Sequence, residues 1–151
     1  MAKERENING MAKEPVANSD QLPEVINIQP MIRIIRERQV MLDSDLSALY
    51  GVETRRLNEQ VKRNMERFPD DFMFQLNKDE LDNLMSQNAT SSWGGTRKLP
   101  YAFTEQGIAM LSSVLKSKTA VEVNIRIMRA FISMRRFIAT NAQLFERLET
   151  I

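Results

Sequence analysis

The 151-residue chain contains no cysteine and no histidine. Without cysteine there is no disulfide framework, no thiol nucleophile and no Cys/His zinc site. Without histidine the commonest general base of neutral pH is missing. No apolar run approaches the ~20 residues of a membrane-spanning helix, and the N-terminus lacks the apolar core of a signal peptide. Nor is charge of one sign in excess, since the formal net charge is +1. These absences point to a soluble protein, expected in the cytoplasm, that is not an enzyme. No cofactor, no small-molecule substrate and no membrane partner are expected.

What the chain does have is a hydrophobic share of 42% and a charged share of 27%, ordinary for a globular domain large enough to bury a core. Its charges are segregated. Residues 54–67 carry Arg55, Arg56, Lys62, Arg63 and Arg67 against Glu59 and Glu66. Residues 116–136 carry Lys116, Lys118, Arg126, Arg129, Arg135 and Arg136 against Glu122. Acidic residues gather instead at Asp70, Asp71, Asp79, Glu80 and Asp82. Segregation of this kind gives a basic face on a nearly neutral molecule, unless the two basic helices simply turn solvated faces in different directions. The acidic group invites a metal-nuclease reading. Helix capping and strand starts explain most of it, and no lysine or histidine stands at a recognised catalytic spacing, so no metal is expected.

The most informative stretch runs from Met41 to Leu76. It reads as a helix, a tight turn at Gly51 and a second helix rich in Arg, Asn, Gln and Lys. Asp43 or Ser44 is expected to cap the first helix by accepting from an unpaired amide of its opening turn. Leu42, Leu46 and Leu49 fall on one face, and Gly51 follows where the chain reverses and positive φ is needed. Thr54 is expected to cap the second helix, with Leu57 and Val61 inward. Arg55, Arg56, Asn58, Glu59, Gln60, Lys62 and Arg63 are then left largely on the remaining surface. This is the pattern of a helix-turn-helix. The bland alternative is a helical hairpin with a solvated polar face.

On either side of it the chain reads as follows. Residues 1–27 are polar, aperiodic and contain Pro15 and Pro23, which reads as a disordered leader. Met-Ala-Lys-Glu recurs at Met11, an alternative start. Met31 to Ile35 and Gln39 to Leu42 suggest a hairpin, although no glycine or asparagine marks the turn between them. Pro69 stops the helical register. Phe72 to Leu76 reads as a strand, and Asn77 to Glu80 as a capping box opening a helix to about Gln87. Residues 88–96 hold the only tryptophan, Trp93, in a mobile loop, and Arg97 to Phe103 resumes as a strand. Thr104 caps a helix from Glu105 to about Leu115, facing inward through Ile108, Leu111, Val114 and Leu115. Thr119 to Glu122 reads as a second capping box, opening a long helix that runs past Arg136. Val121, Ile125, Met128 and Ile132 form one apolar stripe on it, and Val123, Ile127, Phe131, Met134 and Ile138 an adjacent one. Leu144, Phe145 and Leu148 prolong the apolar character. The fold class is α+β: a small domain containing a helix-turn-helix, short strands and a long C-terminal helix.

Several blocks closely resemble the ORF6N domain, which is related to the KilA-N domains of phages, large DNA viruses and bacteria. They are MLDSDL from Met41, LYGVET from Leu49, LNEQVKRN from Leu57, RFPDDFMFQL from Arg67, LPYAFTEQG from Leu99 and AVEVNIRIMRAF from Ala120. The resemblance covers residues 28–136, leaving 137–151 as a helical extension. It implies an α+β DNA-binding domain of phage or prophage type, with a regulatory role. Ser47 departs from the alanine usual in the family. The loop before Arg97 is poorer in glycine and arginine than is usual there.

Arg55, Arg56, Asn58, Gln60 and Lys62 are the candidates for base contact. Arginine pairs in bidentate fashion with guanine, and Asn or Gln with adenine. Arg63, Arg67, Arg97 and Lys98 are candidates for phosphate contact. Against this, Arg55 and Arg56 have Glu53 and Glu59 within reach on the same helix. Trp93 is expected to tuck back onto the domain rather than wedge into DNA, and the methionines to pack. The partners expected are double-stranded DNA and a second copy of the chain in a homodimer, formed through the helix beginning at Ala120. The competing reading is an antirepressor-like protein-interaction module acting through that same helix.

Overall fold

The computed structural model describes residues 27–87 and 98–149, with residues 143–149 as helix backbone only. The expected leader, the loop carrying Trp93, Arg97, and the side chains of Leu144, Phe145 and Leu148 lie outside the described residues. Four strands are described: β1 (Arg33–Ile35), β2 (Arg38–Leu42), β3 (Met73–Gln75) and β4 (Tyr101–Thr104). The helices are α1 (Asp43–Tyr50), α2 (Thr54–Arg63), α3 (Lys78–Gln87), α4 (Glu105–Leu115) and α5 (Lys118–Glu149). The fold is α+β, as the pattern of short strands and amphipathic helices implies.

The strands form one antiparallel sheet in the order β1-β2-β4-β3. Met41 pairs with Phe103, and Phe103 with Met73. One residue along, Leu42 pairs with Ala102, and Ala102 with Phe74. Successive side chains on a strand point to opposite faces, so these two rows head two cores. Met41, Phe103 and Met73 pack with Leu46, Leu57, Ile108, Leu111, Ile127 and Phe131, so α1, α2, α4 and α5 share one face. Val40, Leu42, Phe74 and Ala102 pack with Leu76 and, from α3, Leu84 on the other. Phe68 closes the larger core edge-on to Phe103, at 6.0 Å between ring centroids.

The strand-to-helix junctions are abrupt. Leu42, still paired with Ala102, itself occupies the cap position of α1; Asp43 falls one residue inside the helix, where its carboxylate accepts from the Ser44 amide of the opening turn as expected. Thr104 does cap α4: its hydroxyl accepts from the Gly107 amide at 3.3 Å and donates to the Asp71 carbonyl at 2.8 Å. Gly107 is required by packing, because a Cβ there would lie 2.0 Å from the Phe72 carbonyl oxygen. Glu53, not Thr54, holds the cap position of α2. The opening turn of α5 is served by Ser117, whose hydroxyl accepts from the Ala120 amide at 3.0 Å. The cap therefore lies two residues before the expected Thr119, and the helix begins at Lys118.

Other expectations hold. Gly51 takes φ 75° at the end of α1. The Asn77–Glu80 capping box is reciprocal, with both bonds at 2.8 Å. The hairpin forms although Arg36 and Glu37, at φ 56° and 62°, both occupy left-handed backbone without being glycine. β1 is shorter than expected because Gln29–Met31, with proline at its start, is a 3-10 turn. β4 begins only at Tyr101, after Pro100. Met65 is exposed rather than packed.

Candidate functional site

The site is built on α1 and α2. Leu57 and Val61 bury the inner side of α2, and three residues follow α1 before α2 begins. Two polar contacts fix the pair beyond this apolar seam. The Ser47 hydroxyl lies 2.7 Å from the Thr54 hydroxyl and donates to the Ser44 carbonyl at 3.0 Å. The alanine usual at Ser47 in the resembling family would lack this tie.

The second contact centres on Asp43, only 4% exposed. Its carboxylate accepts from the Ser44 amide at 2.8 Å, the Asn58 side-chain amide at 2.9 Å and the Tyr101 amide at 3.3 Å. One side chain thereby joins α1, α2 and β4. Burial pushes the Asp43 carboxyl above the usual carboxylate range, with the hydrogen bonds from Asn58 and the backbone opposing that shift. Asn58 was expected to read bases; its donor is instead turned back into the domain. The signal it offered, an Asn on a polar helix, does not distinguish the two roles.

The remaining candidates face outward. Arg55 is exposed and 3.4 Å from both Glu53 and Glu59, the pairing that its neighbours allowed. Such exposed pairs contribute little and release readily. Arg56, Lys62 and Arg63 are exposed, and Lys62 and Arg63 lie in the last turn of α2, where cations complement the helix dipole. Gln60 is half-buried, and its backbone carbonyl accepts from the Asn64 side-chain amide at 2.8 Å. Arg67 reaches back to the Ser113 hydroxyl at 3.4 Å, and Lys98 is exposed. The structure thus gathers Arg55, Arg56, Lys62 and Arg63 on one exposed helix and removes Asn58 from it.

A second polar junction supports the site from behind. The Tyr50 hydroxyl at the end of α1 donates to the Asn124 side-chain carbonyl of α5, and the Asn124 amide donates to the Ile108 carbonyl of α4 at 2.8 Å. Both side chains are buried. Burial raises the Tyr50 phenol well above its ordinary range.

A four-stranded antiparallel sheet with a helix pair presenting a basic outer helix defines a small α+β domain. The sequence model of the ORF6N domain matches residues 31–114, more than half of the chain. The chain therefore belongs to the ORF6N domain family. No curated protein and no solved structure matches it. No helix among the described residues is long and apolar enough to cross a membrane.

Proposed function

We propose that the protein binds double-stranded DNA, with α2 as the recognition helix of a helix-turn-helix and a regulatory role in phage or prophage biology. One observation carries this reading: α2 is held from behind by Leu57, Val61, Thr54 and Asn58 while Arg55, Arg56, Lys62 and Arg63 stand exposed on it. A helix so anchored has little backbone freedom left to lose on binding. The major groove admits such a helix. Arg55, Arg56, Gln60 and Lys62 remain the base-reading candidates; Arg63, Arg67 and Lys98 suit phosphates. Membership of the ORF6N family favours the same reading.

Two measurements test it. Affinity for random duplex should fall steeply with salt, with a slope of about −0.9 per phosphate contact on a log-log plot. Against a selected target, Arg55→Ala with Arg56→Ala should weaken binding by about 1–3 kcal/mol per lost base contact, with circular dichroism unchanged. Salt-independent binding, or unchanged affinity of the double variant, removes α2 from the interface. The competing reading, a protein-interaction module, draws on the exposed apolar side chains of α5 and is favoured if no duplex binds.

A further inference from the structure

The helix α5 covers 32 residues, and only part of it is used by the domain. Val123, Ile127 and Phe131 are buried in the main core, whereas Val121, Ile125 and Ile132 remain 48%, 47% and 40% exposed. With Met128, half-buried between them and packed on one side against the core, these residues are spaced four, three and four apart. That is the alternation of a coiled-coil seam. The seam lies about a third of a turn round the helix from the buried face, so a partner can reach it without displacing the core.

We propose that this seam packs against the same seam of a second copy, the two helices running antiparallel about a two-fold axis between Ile125 and Met128. Three observations select this occupant. The spacing is self-complementary under that axis: Val121 meets Ile132 of the partner subunit, and Ile125 meets Met128 of the partner subunit, so that all four apolar side chains find apolar partners. Charge is complementary in the same arrangement. Glu122 and Arg129, both exposed, border the seam on its outer side, and an antiparallel pairing brings Glu122 beside Arg129 of the partner subunit at both ends. A parallel pairing brings no such opposite charges together, because the residues at the other border, Asn124 and Phe131, are buried in the chain's own core. Finally, Lys118 and Arg135 occupy the next seam positions at either end. They limit the contact to these four residues per helix and make the dimer a weak, reversible one.

The inference does not depend on DNA binding, and its tests use the whole chain without DNA. Sedimentation at about 50 μM should show a dimer that dilutes to monomer at sub-micromolar concentration. Ile125→Asp should give a monomer with unchanged circular dichroism, since the side chain is outside the core. Glu122→Arg should weaken the dimer at least tenfold, and adding Arg129→Glu should restore it. The chain has no cysteine of its own, so introduced thiols report direction. Mixed V121C and I132C chains treated with a thiol oxidant should cross-link to each other, and V121C alone should not. A monomer at about 50 μM, a dimer indifferent to I125D, failure of the charge swap to rescue, or efficient V121C self-cross-linking each overturns the proposal.

Discussion

Asn58 sits among the arginines of α2 yet donates inward to Asp43. Asn58→Ala should therefore act on stability rather than on contact with DNA. It deprives a buried carboxylate of a donor, a loss of about 1–3 kcal/mol, readable as a lower urea midpoint, while DNA affinity per folded molecule stays unchanged. The pH behaviour of the carboxyls divides by cause. Asp43, raised by burial, contributes stability that is full below its unfolded pKa and is lost as pH rises through the folded one. Glu80 behaves in the opposite sense. The hydrogen bond from Arg36 holds its carboxyl below the usual range, so its contribution is present above the unfolded pKa and is lost as pH falls through the folded one. Denaturation series at several pH values should show wild type and Glu80→Gln converging as pH drops into that acidic window. A gap that stays constant would mean the Arg36–Glu80 pair does not contribute.

Among the elements, the β1–β2 hairpin joins backbone cost to side-chain gain. Arg36 and Glu37 both occupy left-handed backbone that disfavours residues with a Cβ. Arg36 is held there: it donates to Glu80 at 2.7 and 3.0 Å and to the Gln75 carbonyl at 3.2 Å, with its guanidinium 4.2 Å from the centre of the Phe74 ring. Glu37 is exposed and makes no such contacts among the described residues. Glu37→Gly should accordingly stabilise the fold by up to about 1 kcal/mol, and Arg36→Gly should destabilise it, although both relieve the same backbone. Thermal melts of the two variants should move in opposite directions.

The same element shows what a sequence carries. Two short apolar runs flanking Arg36-Glu37-Arg38 made the hairpin legible, but its turn was not, because what holds Arg36 lies some forty residues away at Gln75 and Glu80. The Asn77–Glu80 capping box was legible because both partners lie within one turn. The cap of α1 was not, because a strand residue fills the slot, and that depends on the pairing of Leu42 with a distant strand. At the site the exposed cations were legible from the buried spacing of Leu57 and Val61. The inward turn of Asn58 was not, since its partner Asp43 precedes it by fifteen residues and only the packing of α1 on α2 brings them together.

For the molecule as a whole, the buried bonds among Tyr50, Asn124 and Ile108 bear on how it opens. They tie the end of α1, the middle of α4 and the first third of α5 at one point inside the larger core. Separating any one of these helices would strand a buried polar group, so none has an inexpensive local excursion of its own. Amide hydrogen exchange should then report a single slow unit, in which amides of α1, α4 and residues 120–131 of α5 exchange at one common rate set by global unfolding. Beyond Arg136, where Phe137 is 62% exposed and Ile138 42% exposed, amides of isolated monomers should exchange orders of magnitude faster. Slow exchange would thus end partway along one continuous helix. The helix that seats α2 cannot loosen without unlocking the long helix behind it, and the far end of that long helix can fray while α1 stays protected.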